Sequence, residues 1–568
     1  MDNQKDGDNQ PVSADLGTPI ELKTASDKEN KKQKNKKKIA ICAGVIAVLA
    51  IAGGITVAIL LNQNKGDIAK NVDDSAAPEK EAASEYKIEG DGLSDFDLKF
   101  LQIENNGKNL VYSPLSIKYA LAMLADGTDG DSNTQITNIL GDFRPKSYIN
   151  SKNRSLANAM FVRDNFKDSI LPTYTEDLRK NYNAEVVYDS FASANGINKW
   201  VSDKTLGIVN NLTDDTTVSH LDFALINALA IDMNWNNQLQ CSPDLGKKSG
   251  VPCMDYSVDY AHEKYSEDIV PTDLNLTNFD GAGNVKTREV GASINNYDII
   301  KEIGEEKIRE TVKAEYEKWY EKDKVSNQQE CPRLRASSWA TDTEKEIYCG
   351  ETDKVINRYI EELAKNYGRT DISTDFYLYD DENVKVFAKD LQEYDGSTLQ
   401  YIGIMPKQEE LSKYVAEADA KKVDGLVAGL KSINNESFKQ GVVTKITGYI
   451  PLFNFDAELL LKDDLGKLGI KDIFQDTADL SKMTTAKDEY ISTAIHKANI
   501  DFSNDGIRAA AVTMAGGQGS TGGGFDYLWD VPVETIDITF DKPYMFLIRD
   551  KATGAVWFAG SVYQPTQG

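Results

Sequence analysis

Apolar residues fall along this chain in three regimes, and each regime predicts a different kind of structure. Residues 1–38 are polar and end in a lysine-rich stretch. They carry too little apolar surface to hold a fold and are expected to be disordered. Residues 39–61 (IAICAGVIAVLAIAGGITVAILL) form an uncharged run of 23 residues. As a helix rising 1.5 Å per residue this run spans about 34 Å, enough to cross a bilayer. It begins far from the first residue and exceeds the apolar core of a cleaved leader, so it predicts a single uncleaved transmembrane helix. Lys31, Lys32, Lys34, Lys36, Lys37 and Lys38 precede it, while Lys65 and Asp67 follow. The positive-inside rule then places residues 1–38 in the cytoplasm and everything after 61 outside, at the plasma membrane. Residues 62–89 mix Ala, Pro and Glu with other polar residues and predict a linker.

From about residue 90 the pattern requires a core. Short apolar or alternating runs predict strands at 160–162, 224–231, 399–405 and 544–548. Helical periodicity predicts helices at 197–211 and 459–468. The two kinds mix without regular βαβ alternation, which argues for an α+β domain over 90–568. Residues 240–380 stand apart. They are polar and contain two amphipathic patterns: Ile300, Ile303, Ile308, Val312, Tyr316 and Trp319, then Val355, Ile356, Tyr359, Ile360 and Leu363. Cys331 and Cys349 lie between the two patterns, and Cys241 and Cys253 precede them. This predicts an inserted helical hairpin. Four cysteines on the outer side permit two disulfides, whose pairing the spacing leaves open.

Composition narrows the chemistry. A net charge of −26 argues against a nucleic-acid partner, because phosphate binding needs a basic face. No C-x-x-C pair is present, so neither a zinc site nor a thioredoxin-like motif is expected. There are three histidines. His220 and His262 have no partner pattern and read as surface residues. A hydrolase using His496 and a serine would need a nucleophile motif, and no G-x-S-x-G elbow occurs. We therefore expect no metal and no cofactor.

Several segments point together to one family. NLVYSPLSIKYALAMLADG (109–127) carries Ser113, Pro114, Ser116 and Ile117. SLANAMFV (155–162), INKWVSDKTLGIVNNL (197–212) and LINALAIDMNW (225–235, with Asn227 and Trp235) follow. VKVFAKDL, LQYIGIMP, IPLFNFDAELLLKDDLGKLGIKDIF (450–474) and FDKPYMFLIRDKATGAVWFAGSVYQP (540–565) complete the order. In kind and order these resemble the serpins over nearly all of 90–568 outside the insertion. One departure is that the family's Phe-Lys-Gly before the Trp is replaced by Ile231, Asp232 and Met233, with Asn234 intervening. The resemblance implies a serpin fold of three β-sheets and about nine helices with an exposed reactive loop, in a bacterial-type, membrane-anchored member. It implies a monomeric suicide inhibitor of serine or cysteine endopeptidases with no catalytic site of its own. The alternative is a non-inhibitory serpin-fold binding module acting through the insertion.

The resemblance assigns the mechanism to HKANIDFSNDGIRAAAVTMAGGQGSTGGGFDYLWDVPVETIDITFDKP. Its hinge is Gly506, Ile507, Arg508, Ala509, Ala510, Ala511, Val512 and Thr513. A loop that must slide into a sheet after cleavage needs small or apolar inward residues and no proline. Ala509, Ala511 and Thr513 meet that need, and no proline occurs between Gly506 and Val531. Ile507 and Arg508 depart from the usual small and acidic residues. By alternation Ile507 should face inward and Arg508 outward. Counting forward from the hinge puts the scissile bond at Ser520–Thr521. Counting back from Lys542 and Pro543 lands near Val531–Pro532 and leaves Tyr527, Leu528 or Trp529 as runners-up. The resemblance also gathers Ser113, Ser116, Asn227, Trp235 and His496 beneath the central strands. There a buried His–Asn–Ser cluster would govern opening of the sheet.

Overall fold

The computed structural model describes residues 93–236, 287–371, 376–394, 396–503, 506–507, 525 and 527–565. The chain divides into a unit of residues 1–71 and a unit of residues 72–568, and the described residues all belong to the second. The tail, the apolar run 39–61 and the linker all lie outside them. No helix among the described residues is long and apolar enough to cross a membrane.

Eighteen strands are described. In chain order the first nine are β1 (Leu110–Tyr112), β2 (Arg154–Arg163), β3 (Glu185–Asp189), β4 (Phe223–Ile231), β5 (Met233–Asn234), β6 (Thr287–Asn295), β7 (Thr370–Asp371), β8 (Phe376–Asp380) and β9 (Val384–Asp390). The rest are β10 (Leu399–Pro406), β11 (Lys431–Ser432), β12 (Val443–Pro451), β13 (Phe453–Leu460), β14 (Ile495–Phe502), β15 (Gly506–Ile507), β16 (Val533–Asp537), β17 (Tyr544–Asp550) and β18 (Val556–Val562). A seven-stranded sheet runs β1-β18-β17-β10-β9-β8-β11, and a four-stranded one runs β16-β12-β6-β7. Two further pieces, β3-β2-β4 and β13-β14-β15-β5, are linked in sequence where β4 runs through Asp232 into β5.

The main core lies on the seven-stranded sheet, where β10, β17 and β18 are buried on both faces, as continuous apolar runs predict. At Gly560 of β18 an added Cβ would sit 2.2 Å from the Leu110 carbonyl, so only glycine fits where β1 pairs. Beside this sheet lies the helix Pro114–Asp126. Ser113 caps it by accepting from the Ser116 N–H, and Pro114 occupies its first turn, where a missing N–H costs nothing.

Three sequence expectations change. The helix expected at 197–211 is Asn195–Lys204. It stops because Leu206 and Gly207 both take positive φ and the Thr205 hydroxyl bonds back to the Val201 carbonyl. In the segment expected at 459–468, Leu459 and Leu460 belong to β13 and the helix is Leu461–Leu468, ended by Gly469 at φ 105°. Within 240–380, β6 pairs with β12 over nine residues, so the interval is not all helical. Among the described residues its helical part runs from Ile299 to Asn366 as five helices rather than a hairpin: Ile299–Ile303, Glu305–Lys322, Lys324–Ala336, Asp342–Tyr348 and Thr352–Asn366. The extra helix Asp342–Tyr348 begins in a reciprocal capping box between Thr341 and Glu344, a signal legible in the sequence. Cys331 and Cys349 are joined as a disulfide. Cys241 and Cys253 lie outside the described residues.

Candidate functional site

β2 and β4 pair over nine residues, and β13 and β14 over eight. Between β4 and β14 no ladder is found among the described residues, apart from what β15 supplies at one end. Space follows the line between the two strands. A cavity of about 20 Å³ is lined by Leu229, Ala230 and Ile231 of β4 and by Ala498, Asn499 and Ile500 of β14. Below it a cavity of about 80 Å³ reaches Ser113, Ser116, Asn227 and His496. Lower still, about 420 Å³ opens between Phe223–Ile226 and Tyr490–Ile495. The arrangement is a line of separate cavities between β4 and β14, a slot with a single strand, β15, at its head.

The head of the slot holds β15. Gly506 and Ile507 lie opposite Asn234 and Met233 of β5, and Ile507 also lies opposite Phe502 of β14, all antiparallel. Met233 and Phe502 are buried, so the register gives position 507 to the inward face of the sheet. Beneath it the Trp235 indole N–H donates to the Ser503 carbonyl at 3.0 Å. The Phe502 ring lies 5.3 Å from Trp235, 4.6 Å from Tyr401 and 5.1 Å from Phe453. This aromatic floor was not anticipated, because its four members come from four separate segments.

Halfway down, His496 projects from the inward row of β14, which alternates buried and half-buried residues. Its Nε2 accepts from the Ser113 backbone N–H at 2.9 Å, while Ser113 Oγ accepts from the Ser116 N–H at 3.0 Å. Burial disfavours the imidazolium and lowers the pKa of His496 from 6.5 to about 4. The ring is therefore neutral at pH 7, with Nε2 as acceptor. Asn227 shares the cavity wall with His496 but bonds elsewhere: its amide donates to Asn158 Oδ1 at 2.7 Å, and Asn158 donates to the Tyr182 carbonyl at 2.8 Å. The expected His–Asn–Ser hydrogen-bond cluster is thus a His–Ser pair on one side of the slot and an Asn–Asn pair on the other. The signal for Asn158 was available, since it is a lone polar residue inside the apolar run of β2. Lys497 Nζ donates to the Asn211 carbonyl at 2.8 Å, tying β14 to the segment that crosses in front of the slot.

A protein-family model described as "Serpin (serine protease inhibitor)" matches residues 95–249 and 346–565, more than half of the chain. The chain belongs to the serpin family. Serpins are generally protease inhibitors, not enzymes. Human neuroserpin is 23% identical over 492 residues, covering 82% of this chain and 88% of that protein. Chicken neuroserpin is 33% identical over 134 residues, covering 24% of this chain and 30% of that protein. A solved thyroxine-binding globulin complexed with thyroxine shares the fold at TM-score 0.50 and 18% identity, covering 84% of this chain and 98% of that one.

The far end of the serpin loop is held differently from its head. β16 pairs in parallel with β12 from Val533 opposite Val443 to Asp537 opposite Thr447, and Asp537 meets Lys385 at 3.0 Å. Just before β16, Trp529 is 7% exposed and packs with Ile308, Val312, Ile356 and Val443. The Tyr359 hydroxyl donates to the Tyr527 carbonyl. Tyr527, Leu528 and Trp529 were the runners-up for the scissile bond. With Trp529 buried and the Tyr527 backbone engaged they are not presented as bait, because a protease must bind its substrate strand extended and accessible. Of the hinge, Gly506 and Ile507 are placed by the backbone, while Arg508, Ala509, Ala510, Ala511, Val512 and Thr513 lie outside the described residues. So do Ser520, Thr521 and His262. His220 is exposed, its Nδ1 within hydrogen-bond reach of the Thr216 carbonyl. Among the described residues no cluster of His, Cys, Asp or Glu is arranged to hold a metal ion.

Proposed function

We propose that this serpin is a suicide inhibitor of serine endopeptidases, and of cysteine endopeptidases that share their acyl chemistry. We read it as tethered by residues 39–61 with its folded unit outside the cell. The observation that carries the reading is β15: Gly506 and Ile507 pair with β5, and Ile507 also with β14, at the head of a slot flanked by β4 and β14.

The chemistry follows from that start. The protease nucleophile, Ser Oγ or Cys Sγ, attacks the carbonyl carbon of Ser520. The C–N bond to Thr521 breaks, the Thr521 amine leaves with a proton from the protease's general acid, and an acyl ester or thioester remains. Residues 506–520, at about 3.3 Å each, reach about 50 Å. Freed at one end, they extend the ladder that β15 begins, between β4 and β14, and carry the protease along the sheet. Inward positions continue from Ile507 through Ala509, Ala511 and Thr513, all able to pass without burying a charge. Trapping competes with hydrolysis of the acyl bond, so the insertion rate sets the outcome. The hinge, Ser520–Thr521, and the Ser113, Ser116, Asn227, Trp235 and His496 set act as loop, bait and slot. The protein works as a monomer without metal or cofactor, and the helical segment at about 240–380 is an insertion into a bacterial-type serpin.

The test is to incubate the full chain with elastase-like, subtilisin-like, papain-like and chymotrypsin-like proteases and run denaturing gels. An SDS-stable adduct is expected, with a separate C-terminal fragment beginning at Thr521. Cleavage without adduct across the panel would replace this reading with a second one, a non-inhibitory binding module acting through the helices of 299–366. That second reading draws on the contact these helices already make with residues 525–531.

A further inference from the structure

We propose that the helices Glu305–Lys322 and Thr352–Asn366 form a clamp on the C-terminal arm of the loop, and that this clamp decides where a protease can attack. The proposal rests on reading the loop as bait, and it adds a specificity determinant that the loop sequence does not contain.

Three contacts hold the arm. Phe525 sets its ring edge-on to Tyr316, with centroids 5.2 Å apart, and 6.0 Å from Trp319. The Tyr359 hydroxyl donates to the main-chain carbonyl of Tyr527, and the Tyr527 and Trp529 rings pack edge-to-face at 5.0 Å. Trp529 and Val531 belong to one buried apolar cluster with Ile308 and Val312 of the first helix and Ile356 and Ile360 of the second. Beyond Val531 the Val443 N–H donates to the Pro532 carbonyl at 2.9 Å and the parallel β12–β16 ladder begins.

This cluster explains a feature that each helix alone leaves open. Ile308, Val312 and Tyr316 lie on one stripe of the first helix, and Val355, Ile356, Tyr359, Ile360 and Leu363 on one stripe of the second, all buried. The stripes meet each other, and the loop arm completes the cover. Aromatic side chains carry large apolar area, so an arm with Phe525, Tyr527 and Trp529 gains most by staying docked. A protease needs an extended strand free on both sides, because it pairs with the main chain. The Tyr527 carbonyl is already taken and Trp529 is buried. Attack is therefore confined to residues before Phe525, although the arm offers a run of aromatic and leucine residues that chymotrypsin-like pockets accept. After cleavage the arm stays docked while the other side of the cut departs.

Timed digestion of the full chain by chymotrypsin, with fragments read by mass spectrometry, tests this. Wild type should resist cutting after Phe525, Tyr527, Leu528 and Trp529, while elastase or subtilisin cuts between 508 and 524. Trp529→Ala should speed chymotryptic cutting after Phe525 and Tyr527 at least about tenfold, and Tyr359→Phe, which removes one hydroxyl, about threefold. Each variant is checked for an unchanged far-ultraviolet circular dichroism spectrum. Wild-type cutting after Tyr527 as fast as elastase cutting before 525, or no acceleration in either variant, overturns the clamp. The digestion pattern does not depend on trapping. Expected protection in a protein that forms no adduct supports the clamp while removing the inhibitor reading. An adduct in a protein whose arm is cut freely does the reverse.

Discussion

At its N-terminal end the loop enters the sheet through Gly506, paired with β5, and Ile507, paired with both β5 and β14. At its C-terminal end it is held by three aromatic side chains, a tyrosine hydroxyl and a five-residue parallel ladder. Backbone pairing alone, ahead of Ala509, Ala510 and Ala511, suits a segment that must advance by successive registers, since nothing large has to be pulled out before the next residue enters. Packing of the half-buried Phe525 and Tyr527 and the buried Trp529 suits a segment that must stay, because the covered ring area would have to be returned to water to let go. The lesson is that a loop can be made directional by holding its two ends through different kinds of interaction.

The sharpest way to break this contrast is to stop the advancing end. Ala511→Pro removes a ladder hydrogen bond at an inward position. We expect more than about tenfold more inhibitor cleaved per protease trapped, read as the stoichiometry of inhibition, with Trp529 protection unchanged.

Next in size is acid. The unfolded chain binds a proton at His496 near pH 6.5, whereas the folded one does so only near pH 4. Stability contributed by the neutral ring is therefore complete above about pH 6.5 and is lost as pH falls toward 4, about 3 kcal/mol in all. Urea midpoints measured from pH 7 to 4 should fall accordingly. His496→Gln, which keeps an acceptor for the Ser113 N–H, should flatten that dependence.

A comparable effect acts at the holding end. The Cys331–Cys349 bond closes 18 residues. Its loss in Cys331→Ser should cost about 3 kcal/mol. Hydrogen exchange should quicken in Glu305–Lys322 while the amides of β17 are unaffected. The smallest effect is at the entrance: Ile507→Thr eases the first inward step by a few tenths of a kcal/mol, about a twofold faster trapping rate in stopped-flow.

Much of this was legible in the chain. Strands buried on both faces announced themselves as apolar runs, as in β10 and β17. Several different motifs in the right order identified the family. What escaped was long-range pairing. Asn227 was expected to bond His496, yet Asn158, on the adjacent strand, takes its amide. Trp529 was a bait candidate because its contacts with Ile308 and Ile356 join positions about two hundred residues apart, and no local pattern reports them. β6 was missed because Gly291, Ser293 and Asn295 dilute its apolar alternation. The helix at 342–348 was overlooked although its capping box was in plain sequence.

One feature of the seven-stranded sheet bears on how the protein is made. β1 hydrogen-bonds to β18, and β17 lies between β18 and β10. During synthesis the N-terminal strand thus waits for a partner translated more than four hundred residues later, and both flanks of the gap stay unpaired meanwhile. When that hairpin emerges it zips locally, faster than a long crossing can form. The ribosome's order of delivery therefore closes the seven-stranded sheet last, after β4, β14 and the loop have all been made.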